Sequence, residues 1–143
     1  MKPFPVPQNA PAHIRASLVM GCLFGASGVV LGAVSAHLPS QFYAVPTGPN
    51  ILHNAVEMLM WHALALLGIS GAYPFLSPRL GRLASYAFIS GTLLFVLPVM
   101  LFAFKDAHIA SMSVARIAPY GGTLLILAWL LTGIAAIKRR KFH

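Results

Sequence analysis

Glu57 is the residue whose chemistry most needs explaining. It is one of only two carboxylates in the chain, and it lies near the start of a long apolar stretch, Asn54 to Tyr73. His53 is four residues before it and Asn54 three before it, so all three fall on one helical face. A carboxyl, an imidazole and a carboxamide grouped this way can relay a proton, hold a cation or line a polar pocket. A carboxylate in mid-membrane costs about 3 kcal/mol on insertion scales. A position about one turn into the span relieves part of that cost. The plainer role is a carboxyl group at the interface, or one hydrogen-bonded within the bundle.

His62 is near Glu57 in sequence but not around the helix. Five residues at about 100° each put the two side chains roughly 140° apart. They form no dyad, and His62 points into the bundle from the other side, where a structural hydrogen bond suits it. His37 closes the first apolar stretch. Several histidines in a membrane bundle raise a haem or quinone site, but bis-histidine ligation needs two rings at one depth on facing helices. His37 and His53, both near the outer surface, could qualify. His37 and His62 are offset by about nine residues, roughly 13 Å of helix. No cofactor is expected. Cys22 is the only cysteine, which excludes an internal disulfide and any metal site needing two thiolates. It suits a small packing role in the first span. No phosphate-loop, dinucleotide, zinc-protease or nucleophile-elbow pattern is present. No metal site and no catalytic residues are expected, and the chain does not read as an enzyme.

The elements that carry these residues follow from composition. The chain has 143 residues, 58% hydrophobic and 8% charged, where a soluble domain carries about 25% charged residues. Lipid accounts for the missing charge. At roughly 20 apolar residues per span, four spans and short loops use the whole chain. The expected fold is an all-α membrane protein, a four-transmembrane-helix bundle with spans at about 15–37, 54–73, 83–104 and 117–137. Residues 1–14, with Pro3, Pro5, Pro7 and Pro11, form an extended tail, and 138–143 form a basic one. The first span is too long for a signal-peptide core, although Val34-Ser35-Ala36 resembles a cleavage site. Pro39, Pro46, Gly48 and Pro49 break the first loop, with a short surface helix weakly signalled over 39–45. Pro74, Pro78 and Gly81 break the second loop. Pro98 should kink the third span. Pro119 near the start of the fourth is tolerated there.

The net charge of +8 reflects orientation. Lys2, Arg15, Arg79, Arg82, Lys138, Arg139, Arg140 and Lys141 fall on one side, and Lys105 and Arg116 on the other. The basic side is cytoplasmic, which puts both termini inside. The charges form no patch interleaved with aromatics, so nucleic acid is not an expected partner.

Gly21, Gly25, Gly28 and Gly32 are spaced four, three and four, on one face of the first span, with Ser17 and Ser35 extending the stripe. Small residues let membrane helices approach closely, and tight packing explains this stripe better than a ligand does. Gly121 and Gly122, with Pro119, make a narrow entry to the fourth span. Its free N–H groups could hold an anion, but packing is the commoner reason for such glycines.

Several segments resemble one family. Gly32-Ala33-Val34-Ser35-Ala36-His37 resembles the end of the first span in the domain of unknown function 423 family of small bacterial inner-membrane proteins. Asn54-Ala55-Val56-Glu57 and Trp61-His62-Ala63-Leu64 resemble its second span, Ser90-Gly91-Thr92-Leu93 its third, and Ala118-Pro119-Tyr120-Gly121-Gly122 through Trp129 its fourth. Met58 and Leu59 stand where the family often has Tyr and Gln. The resemblance covers about residues 15–137. It implies a four-helix membrane fold, a multi-pass inner-membrane location and no established activity, and it favours His37 and His62 over Glu57 as family-wide positions.

The expected function is that of an accessory or assembly partner in a larger membrane complex. Its expected partners are the bilayer and other membrane subunits or further copies of itself. The alternative is a small transporter or ion conduit lined by His37, His53, Glu57 and His62. A quinone- or haem-binding bundle ranks third.

Overall fold

In lipid, every backbone N–H and C=O must be satisfied within its own segment, so long apolar runs fold as helices. The computed structural model describes residues 10–109 and 112–138. It has four long helices: α1 Ala12–His37, α2 Gly48–Ala72, α3 Pro78–Lys105 and α4 Ala118–Ile137. Each, with its flanking turn, is long and apolar enough to cross a membrane. Single 3₁₀ turns at Ser40–Phe42, Tyr73–Phe75 and Val114–Ile117 shape the connections. Pro3, Pro5 and Pro7 of the N-terminal tail, and Arg139, Arg140 and Lys141 of the basic one, lie outside the described residues.

Three helices start earlier than the apolar pattern predicts: α1 begins at Ala12, so residues 12–14 of the expected tail are helical, and the other two gain more. α2 begins at Gly48 and α3 at Pro78. Pro49 and Pro78, expected as breakers, sit in the first turn instead. A proline there loses nothing, because the first-turn N–H groups have no partner within the helix. Glu57 therefore lies nine residues from the start of α2, roughly 13 Å along its axis. α3 continues through the buried Pro98. Of the 39–45 segment, only Ser40–Phe42 is helical.

The third connection holds a small hairpin. β1 His108–Ile109 pairs antiparallel with β2 Met112–Ser113. Asp106 ends α3 with φ 45° and ψ 45°, and its N–H donates to the Phe102 carbonyl. Asp tolerates this left-handed conformation better than most residues.

The helices pack mainly as two antiparallel pairs, α1 with α2 and α3 with α4, joined through α2 and α3. The core holds Phe24, Leu59, Leu66, Phe88, Val96 and Leu125. The outside is apolar too: Val29, Val30, Trp61 and Leu130 are all more than half exposed. Apolar residues on both sides are expected where lipid is the solvent. Helix hydroxyls avoid that solvent by bonding back one turn. Ser70, Ser85, Ser90, Thr92, Thr123 and Thr132 each donate to the carbonyl four residues earlier.

Connections are tied to helix ends. The Ala44 N–H donates to the Ala103 carbonyl and the Ser77 N–H to the Ala135 carbonyl, both at 2.9 Å. Tyr43 stacks on Phe104 at 5.5 Å. Gly48 passes against the Tyr43 ring, where a Cβ would approach within 2.6 Å.

Candidate functional site: the outward face of α2

The early start of α2 sets the rotation of its polar residues. Ala55, Leu59, Ala63 and Leu66 are buried, so the opposite stripe points away from the fold. That stripe holds Asn50, His53, Asn54, Glu57, Trp61 and Leu64, all exposed. Their spacing of three and four residues makes one continuous face. His53 Nε2 lies 3.7 Å from Glu57 Oε1, with the side chains 66% and 57% exposed. The structure therefore brings His53, Asn54 and Glu57 together, and it puts them on the outer surface. In the single chain Glu57 faces no interior path. An exposed helix pair of this kind contributes little in water. A carboxylate exposed to the hydrocarbon of a bilayer is costly until something else covers it.

His62 is on the other side of α2 and only 5% exposed. Its Nδ1 lies 2.7 Å from the Met58 carbonyl. A carbonyl can only accept, so Nδ1 carries the hydrogen and Nε2 is left as an acceptor in the neutral ring. The ring lies 5.9 Å from Phe88 and 6.4 Å from Trp129, which meet edge-to-face at 5.2 Å. His62 is thus the α2 member of an aromatic cluster spanning α2, α3 and α4. Trp129 takes part in this cluster although its own face is half exposed.

His37 ends α1 and is exposed. Among the described residues, no group of three His, Cys, Asp or Glu side chains is close enough to hold a metal ion. The second carboxylate, Asp106, lies 3.8 Å from His108 Nδ1 in the third connection. Cys22 is exposed on α1.

The glycines divide by space. A Cβ at Gly21 would come within 3.1 Å of Leu67, and one at Gly28 within 2.6 Å of Met60 Sδ. Gly21 and Gly28 thus face α2 of the same chain. Gly25, Gly32 and Gly122 have ordinary contact distances of 3.6–3.9 Å. Gly121 is the tightest: its Cβ would lie 2.5 Å from the Phe95 nitrogen and 2.8 Å from the Gly91 carbonyl oxygen. Gly91, not marked as a packing position by any local spacing, is the other half of this crossing. Its counterpart is on another helix, so only the fold pairs them.

One polar cluster escaped the sequence reading altogether. His13, Arg79 and Arg82 line a cleft at the end of the bundle where α1 and α3 begin. His13 is 66 or more residues from the two arginines, and no shared motif links them.

Comparison with known proteins agrees with this architecture. The UPF0382 membrane protein YwdK of Bacillus subtilis (strain 168) is 27% identical over 134 residues, covering 87% of this chain and 98% of that protein. No solved structure matches. The family model described as "Protein of unknown function (DUF423)" matches residues 31–122, from the second half of α1 to the first turn of α4. That match covers well over half of the chain, and the chain belongs to the DUF423 family of membrane proteins of unknown function.

Proposed function

We propose that this protein is a non-enzymatic membrane subunit that works by lateral association, with the outward face of α2 as its contact surface. One observation carries the reading: the His53–Glu57 pair is exposed roughly 13 Å along a membrane-spanning helix. Lipid tails offer a carboxyl group no hydrogen bond, so a polar stripe on the outside of a membrane-spanning helix favours a second protein surface. Trp61 and Leu64 continue the stripe as apolar contact area. The partner chemistry this face suits is a helix bearing a donor group opposite Glu57 and small residues opposite Trp61. Both termini are cytoplasmic in this reading, in the inner membrane of a bacterial cell, because the basic residues gather at that end.

The test is retention of a partner. A C-terminally tagged chain extracted from native membranes in mild detergent retains a stoichiometric membrane protein, and Glu57→Leu loses it. The variant removes an exposed charge from lipid, so its own fold is not at risk. A wild-type chain that purifies alone contradicts the reading. The conduit reading needs the same face to line a path between copies, and it requires Glu57→Gln to abolish flux in liposomes.

A further inference from the structure

The end of the bundle where α1 and α3 begin carries a second polar site. A cleft of about 500 Å³ there is lined by Pro11, His13, Tyr73, Arg79, Arg82 and Tyr86. Arg79 and Arg82 are exposed on the first turns of α3, where the positive end of the helix dipole adds to their charge. Ser77, the residue before α3, gives no side-chain cap. Neither arginine has a side-chain carboxylate to pair with. The chain has two in all, and both lie toward the other end of the bundle, Glu57 beside His53 and Asp106 beside His108.

The independent observation is His13. It is only 7% exposed, and its Nε2 is buried with no hydrogen-bond partner among the described residues. Its ring is held edge-on to Tyr73 at 5.2 Å, so it lines the cleft in a fixed orientation. One turn deeper, the buried Ser17 hydroxyl also lacks a partner among the described residues, unlike the helix hydroxyls that bond back along α2, α3 and α4. Buried polar groups are normally satisfied. Two uncompensated arginines, a helix start and an unmet imidazole nitrogen in one cleft complement a small multivalent anion.

We propose that this cleft binds a phosphate group, with Arg79 and Arg82 supplying charge and His13 Nε2 a directional contact from within. The position at a bundle end suits the phosphate of an anionic phospholipid headgroup, and the same chemistry would accept a soluble phosphate.

The full chain, purified in a non-ionic detergent, is titrated separately with phosphatidylglycerol and with inorganic phosphate while its thermal unfolding is followed. A bound anion stabilises the folded state in proportion to its occupancy. A rise with phosphatidylglycerol alone identifies a headgroup site, and a rise with inorganic phosphate identifies a soluble one. Either response weakens about tenfold or more in apparent affinity in the Arg79→Gln/Arg82→Gln variant, and several-fold in His13→Phe, which keeps the ring against Tyr73. Arg116→Gln, at the opposite end, keeps the response. No response to either probe overturns the proposal. So does an equal loss in Arg116→Gln, which would reduce the effect to net charge. The arginines are exposed, so their variant tests the site even if His13→Phe does not fold.

Discussion

At the scale of single residues, the two intramembrane candidates divide by the face of α2 they occupy. His62 is a packing and hydrogen-bonding residue. Its ring fills the junction of three helices and donates to the Met58 carbonyl. His62→Ala should destabilise the protein by about 2–4 kcal/mol through the cavity it leaves. Unfolding in detergent, monitored by the fluorescence of nearby Trp129, checks this; an unchanged midpoint would show that the cluster does not hold α2 to its neighbours. Glu57 behaves oppositely: it is exposed and, among the described residues, its ion pair is with the equally exposed His53, so its substitution should leave that midpoint in place. The division between these residues was legible in the sequence, because five residues of helix put them on different faces. Which face looked outward was not. A polar face on a membrane helix suits an interior path as well as an outer contact, and beyond Glu57 the apolar residues on both the core and the lipid side mark no interior.

At the scale of elements, the two helix pairs depend on close approach. In α3 and α4 the contact is backbone against backbone at Gly91 and Gly121. Gly121→Ala must push the helices apart and should cost about 1–3 kcal/mol. Gly25→Ala meets only the Ala63 Cβ at 3.8 Å and should be neutral or gain up to about 1 kcal/mol from helix propensity. Paired melting curves of the two variants decide the matter, and equal losses would refute the distinction. The glycine spacing in α1 marked the stripe but did not rank its members. Rank depends on the partner side chain: Leu67 and Met60 crowd Gly21 and Gly28, while the smaller neighbours Ala63 and Val56 leave room at Gly25 and Gly32. Prolines were the other source of error. Pro49 and Pro78 look identical to loop prolines in a linear reading, and only the helix that follows them shows that they start it.

At the scale of the whole molecule, four spans were legible from composition, since a chain with so little charge has no soluble alternative of this size. Charge asymmetry then separates the two ends. One carries His13, Arg79 and Arg82 around an open cleft, with Arg15 nearby in sequence, and the other carries Lys105, Arg116, the Asp106–His108 pair and the exposed His37. A reporter fused to either terminus should respond as cytoplasmic; an external N-terminus would reverse the orientation and place the arginine cleft on the other side of the membrane. Between these ends, the exposed imidazole and carboxyl groups lie along α2, while the exposed Ser27, Ser90 and Thr123 of the other helices are single hydroxyls among apolar residues. That asymmetry is what points to lateral association rather than to an internal path.

The most direct measurement is photo-crosslinking in native membranes, with a photoreactive amino acid placed at Trp61 on α2, or at Val29 on α1 and Leu130 on α4 as controls. All three positions are more than half exposed, so exposure alone does not separate them. Lateral association through α2 predicts a discrete protein adduct at position 61, lost on adding Glu57→Leu, and none at 29 or 130. Lipid adducts alone at all three positions would contradict it.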